Sequence, residues 1–235
     1  MTKFFKNLYR LILIRTPFFI LLNYISNFLP NYKKKNKSSK IENQIYSDFK
    51  SFNFKEKWFC NNLYFLNNYF RYSNDVSDIL EIGSYEGRSA IFFLQTFRNS
   101  KITCVDTWSG SDEHLKQNFN IIETNFDTNT RLYQNDNRLK KIKNTSDDFF
   151  SNNLQSFDLI FVDGDHSSEQ VKKDINNSWK ILNNGGYLIL DDYLWWYYKD
   201  LINNPAFNIN NFISENLSNI SSLKVWQQVI IKKVN

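Results

Sequence analysis

Cysteine is nearly absent. Cys60 and Cys104 are the two in 235 residues; they share no metal-like spacing, and Cys104 falls inside an apolar run. A thiolate metal site and a disulfide framework are thereby set aside, and two thiols in a reducing, cytoplasmic compartment are the simpler reading. Acidic residues are missing from the first forty positions, which hold nine Lys/Arg. The formal charge of +5 therefore belongs to that segment, and the remaining residues carry 20 basic against 24 acidic groups. A nucleic-acid footprint spread over the folded body is not supported. The six glycines and three prolines, beside abundant Asn, Phe, Tyr and Ile, are a bias of usage that carries no function. The length accommodates one α/β domain and an appendage, hardly a second full domain.

The appendage is residues 1–40. From Phe4 to Leu29 it is strongly apolar, with Lys6, Arg10 and Arg15 interrupting its first half and Pro17 breaking any helix there. Its longest charge-free run, Thr16 to Tyr32, is 17 residues and includes two prolines, short of the roughly 20 apolar residues that a spanning helix wants. No small-residue cleavage site follows, which excludes a secretory leader; the lysine run from Lys33 to Lys37 follows instead. Basic residues beside apolar aromatics fit a segment lying in the interface of an anionic leaflet, at the inner face of a membrane. Packing on the core or on a second subunit is the alternative, and the first 72 residues are where a homo-oligomer interface is expected. Residues 33–40 read as a solvated linker. Residues 41–75 form a helical cap with two helices, and residues 76–235 the main domain.

From Asp78 the pattern becomes regular. Strands are expected at 78–82, 102–105, 140–143, 157–162 and 187–190, with helices over 86–97, from about 112, and over 171–182, the last closed by the Asn183–Gly186 stop. Two further strands, 223–226 and 228–232, make an antiparallel edge pair. Such alternation is the mark of a Rossmann-like, doubly wound α/β sheet, mostly parallel, with ligands bound at the carboxyl ends of its strands.

Those ends carry the distinctive chemistry. The first strand runs into Glu81-Ile82-Gly83-Ser84-Tyr85-Glu86-Gly87. Gly83 lets backbone approach a ligand, and Gly87 lets the next helix pack with its N-terminal amides facing the pocket. The middle glycine of a dinucleotide loop is missing because Tyr85 occupies its place, which disfavours a nicotinamide dehydrogenase. Asp106, about 20 residues beyond the loop, can accept both hydroxyls of a ribose. Trp108 can line an adenosine site, and Ser146 and Asp147 sit at a helix start, as a cap or an adenine contact.

The blocks EIGSYEGRSA (81–90), CVDTW (104–108), NTSDDFF (144–150), FDLIFVDGDHSSEQV (157–171) and LNNGGYLILDDYLW (182–195), in that order, resemble the class I S-adenosylmethionine-dependent methyltransferases over roughly residues 78–195. The resemblance implies that Glu81, Gly83 and Ser84 hold the methionine part of the cofactor, Asp106 the ribose, and Ser146 with Asp147 the adenine. FVDGDH followed by DDYLW further resembles the metal-dependent O-methyltransferases of catechols, caffeoyl thioesters and macrolide sugars. By that resemblance Asp163, Asp191 and Asp192 hold Mg²⁺, with Asp192 standing where the catechol type uses Asn. Oxygen ligands of this kind suit that ion. His166 is then the base that takes a hydroxyl proton, and the methyl acceptor is a small molecule or a glycan. Trp195 to Tyr198 can stack on its ring; His114 reads as a surface or lid residue. Two other readings stay open. One is a nucleotide-sugar transferase using Asp163-Gly164-Asp165; the other is a methyltransferase-like binding module without turnover.

Overall fold

The computed structural model describes residues 2–28, 52–71, 75–110 and 117–235. The linker expected at 33–40, most of the first cap helix and His114 lie outside the described residues.

Seven strands form one sheet: β1 (Asp78–Ile82), β2 (Lys101–Asp106), β3 (Leu139–Lys143), β4 (Phe157–Val162), β5 (Leu182–Leu190), β6 (Ile220–Val225) and β7 (Val229–Lys233), in the order β3-β2-β1-β4-β5-β7-β6. β1 to β5 run parallel, and β7 pairs antiparallel with both β5 and β6. This is the expected Rossmann-like sheet with its antiparallel edge pair. β1 and β4 are almost wholly buried, as strands covered by helices on both faces must be, and β4 reads as a nearly continuous apolar run in the sequence. The strand order reverses between β1 and β4, and their carboxyl ends flank the crevice that such a reversal opens.

The helices that follow the strands start where the local chemistry permits. Gly87, at φ +81°, ends the first loop so that α4 (Arg88–Thr96) can begin. Asn118 caps α5 (Phe119–Asn135) and Thr145 caps α6 (Ser146–Asn152), each side-chain oxygen accepting an amide of the first turn. α7 (Ser168–Ile181) is not closed by glycine as expected. It ends in an extended Leu182, which is already the first residue of β5. The Asn183–Gly186 stop is instead a bulge: Phe157 pairs with Leu182 but Leu159 with Tyr187. α8 (Pro205–Glu215), with Pro205 in its first turn, fills a stretch where no element was expected.

Ahead of the sheet, α3 (Leu63–Phe70) buries Leu63, Leu66 and Phe70 in the same core as the central strands. The N-terminal segment is a hairpin of α1 (Thr2–Leu13) and α2 (residues 18–28). Arg15, at φ +56°, and the amide of Thr16, which donates to the carbonyl of Leu11 at 3.0 Å, close α1 in a Schellman-type turn. Pro17 then opens α2, its carbonyl accepting from Ile20 and Leu21. The hairpin packs on the body: Leu11, Ile20 and Tyr24 are at most 1% exposed, and Tyr24 stacks toward Trp226. Asn23 bridges the β6 edge, donating to the carbonyl of Leu223 and accepting from the amide of Val225. Among the described residues no helix is long and apolar enough to cross a membrane.

Candidate active site at the strand ends

Gly83 follows β1 at φ +83°, and a Cβ there would lie 2.0 Å from the carbonyl oxygen of Asp163. This glycine permits a close approach to the backbone leaving β4. At Gly87 a Cβ would meet Thr130 of α5 at 2.7 Å, so this glycine serves tight helix packing. Between the two glycines the chain turns sharply, with Tyr85 at φ +46°.

Asp106, the last residue of β2, holds that turn. Its Oδ2 accepts the amides of Ser84 and Tyr85, both at 2.8 Å, and its Oδ1 accepts the amide of Trp108 at 2.7 Å. Three of the roughly four lone-pair sites of a carboxylate are used in clamping this loop. Trp108, 3% exposed, donates its indole N–H to the carbonyl of Tyr85 and lies between Phe126 and the ammonium of Lys141. It is enclosed scaffold rather than an open wall. Ser146 and Asp147 are not the cap of α6, since Thr145 takes that part. Both accept from Gln170 of α7, and Asp147 also pairs with Lys173.

Glu81 points into the sheet beside the loop with no exposure at all. Neither carboxylate oxygen has a hydrogen-bond partner, nor does the buried hydroxyl of Ser84. Burial pushes the Glu81 carboxyl up to about 7, while the nearby Ser84, Ser89 and Cys104 side chains moderate the rise and Asp163 adds to it. Buried oxygens left without partners beside a loop are where a polar or cationic ligand group would be welcome.

The acids at the ends of β4 and β5 divide. Asp163 leaves β4 with its amide bonded to the carbonyl of Ile82. His166 follows three residues later; its Nε2 is 3.1 Å from Oδ2 of Asp192 and 3.5 Å from Oδ1 of Asp163. The ring packs 5.0 Å from that of Trp195. Among the described residues, Asp163, His166 and Asp192 form the group whose ligand atoms lie within 4.8 Å of one another. Asp191 is not in it, contrary to the expected trio. Its Oδ2 accepts from Gln228 at 2.9 Å, its Oδ1 from the amide of Asp192 at 2.7 Å and from Asn62 at 3.4 Å. Burial, then the charges of Asp163 and Asp192, hold its carboxyl well above the usual carboxylate range. The reason that two adjacent acids diverge is the backbone of Asp192, at φ +51°, which turns its side chain toward His166. Asp165 accepts the amide of Ser167 at 2.7 Å as α7 begins and stands outside the Asp163, His166 and Asp192 group.

Residues 80–193 match the sequence model of a family described as a methyltransferase domain. The resemblance seen in the sequence over 78–195 is borne out there. Over 127 residues the chain is 31% identical to an uncharacterized protein, R132, of Acanthamoeba polyphaga mimivirus; the alignment covers 52% of this chain and 54% of that one, so the chain spans about half the length of this curated relative. The fold is similar to that of MycE methyltransferase of the mycinamycin pathway, solved with Mg, S-adenosylhomocysteine and mycinamycin VI (TM-score 0.54, 17% identity, 84% of this chain and 54% of that one). It is similar also to that of an O-methyltransferase from Bacillus cereus solved with S-adenosylhomocysteine (TM-score 0.52, 14% identity, 85% and 91%).

Around these strand ends, several residues that organise the site escaped the sequence reading. Glu86, 2% exposed, accepts the amide of Lys55 and the side chain of Asn125, and so ties the segment before α3 to the glycine loop and to α5. Asn62 and Gln228 reach Asp191 from the start of α3 and from the β6–β7 turn. Tyr193, fully buried, donates to Oδ1 of Asn210 on α8 at 2.9 Å and fixes the chain just beyond Asp192. Glu86 lies inside a matched block and could have been singled out; the others carry no signal of spacing.

Proposed function

We propose that the chain transfers the methyl group of S-adenosylmethionine to a hydroxyl oxygen of a small molecule or sugar, with a divalent cation held by Asp163 and Asp192 and with His166 as the base. The observation that carries this reading is the position of His166, its Nε2 facing both carboxylates at the crevice where β1 and β4 part. The site residues fit the cofactor: the partnerless oxygens of Glu81 and Ser84 complement an ammonium group, and Asp106 keeps a lone pair for a ribose hydroxyl. They fit a cation as well, since two carboxylates on one imidazole repel unless a proton or a metal is shared between them. When bound, the cofactor supplies an electrophilic methyl group and the cation lowers the pKa of the attacking hydroxyl.

The chain itself does the rest. Faced at Nε2 by Asp192 and Asp163, the imidazole takes the hydroxyl proton. Asp192 then stabilises the imidazolium that forms. Trp195 and Tyr197, stacked at 5.2 Å and 15°, offer faces to an acceptor ring beside the imidazole. Asp106 clamps the loop that borders the cofactor. We take residues 76–235 as the methyltransferase unit.

Calorimetric titration of the full chain with S-adenosylhomocysteine, with and without Mg²⁺, tests this. Micromolar binding by wild type and His166→Ala alike, with methyl transfer to hydroxyl acceptors lost only in the variant, is expected. No binding in either condition sinks the assignment. The full chain is used because the 2–28 hairpin covers part of the core.

A further inference from the structure

Half of the large apolar side chains exposed among the described residues, eight of sixteen, belong to the N-terminal hairpin. On α1 they follow one stripe, including Phe5, Tyr9 and Ile12; on α2 another, including Phe18, Leu22 and Ile25, from 39% to 72% exposed. The inner faces carry Leu11, Ile20 and Tyr24 and are spent on the body. The outward stripes are therefore not the back of a core helix, which would be polar. Charge says what covers them. Lys3, Lys6 and Arg15 are exposed at their margins, Arg10 lies over the ring of Trp196, and no acid occurs before Glu42. A second copy of the hairpin would bring Lys3, Lys6 and Arg15 against the same three cations, whereas an anionic leaflet complements them.

We propose that the outward face of the α1–α2 hairpin docks on an anionic bilayer surface, its aromatic and aliphatic stripes entering the headgroup boundary and its lysines and arginines meeting acidic headgroups. The docking is independent of the methyl-transfer reading. The hairpin is fixed to the body by the contact of Thr16 Oγ1 with Asn210, which also accepts from Tyr193 next to Asp192, so a docked chain holds its active-site segment at a set attitude to the lipid.

Sedimentation of the full chain with vesicles of phosphatidylcholine alone, and of phosphatidylcholine with phosphatidylglycerol, reads this out. Binding to the anionic vesicles alone, weakened by salt, is expected. Phe5→Ser with Phe18→Ser, and separately Lys3→Glu with Lys6→Glu, should each lower partitioning by roughly tenfold or more. All four residues are exposed, and unchanged thermal melts confirm that the variants fold. Absence of binding to anionic vesicles overturns the proposal, as does binding that neither pair of substitutions weakens. A concentration-dependent dimer that the phenylalanine variant dissociates, without vesicle binding, overturns it in favour of self-association.

Discussion

Glu81→Gln should make the protein more stable at alkaline pH while harming ligand binding. The carboxyl of Glu81 has no exposure and no hydrogen-bond partner, and burial pushes it from 4.5 up to about 7. A raised carboxyl favours the folded state while it is protonated. That contribution is complete below pH 4.5 and is lost as the pH climbs through about 7, because the unfolded chain ionises first. At about 1.4 kcal/mol for each pH unit between those values, the ionised form costs ~3 kcal/mol at pH 8. Glutamine keeps the shape without the charge. The pH-dependent gap between variant and wild type should then grow from under about 1 kcal/mol at pH 5 to ~3 kcal/mol at pH 8, or roughly 6–12 °C in melting temperature for a chain of this size. Thermal melts followed by circular dichroism across that range measure it, and calorimetry with S-adenosylhomocysteine should show weakened binding by the stabilised variant. A difference in melting temperature that does not change with pH would refute the argument, because it would mean that Glu81 is not a strained neutral acid kept for a ligand.

Three other substitutions probe separate parts of the site. Gly83→Ala places a Cβ at φ +83° against the Asp163 carbonyl; a loss of at least about 3 kcal/mol, read as failure to yield folded protein or as a collapsed melting temperature, is expected. His166→Ala should leave S-adenosylhomocysteine affinity unchanged while lowering kcat by roughly 10²–10⁴-fold, and an unaltered kcat would remove the imidazole from the reaction. Tyr193→Phe takes the donor from the buried Oδ1 of Asn210 and should cost about 1–3 kcal/mol in chemical denaturation; a neutral result would show that Asn210 finds another partner.

How far the molecule could be read from its sequence depended on whether a signal was local. β1 and β4 were legible to the residue because burial on both faces makes them short runs dominated by Ile, Leu, Phe and Val. The start of β5 was not, since Asn183-Asn184-Gly185-Gly186 carries every mark of a helix stop and only the pairing with β4 reveals a bulge. α8 was hidden by its asparagines: Ala206, Ile209, Phe212 and Ile213 do fall at helical spacing, but Asn210 sits buried among them as the partner of both Tyr193 and Thr16. At the site, the strand ends could name acids of the right type, yet not their directions. Asp191 and Asp192 are neighbours with the same side chain. Gln228, 37 residues on, and Asn62, 129 residues back, claim the first, and a left-handed backbone at the second turns it to His166. Composition and spacing fix which ligand atoms a crevice can offer; a single positive φ and two distant amides decide which carboxylate faces it.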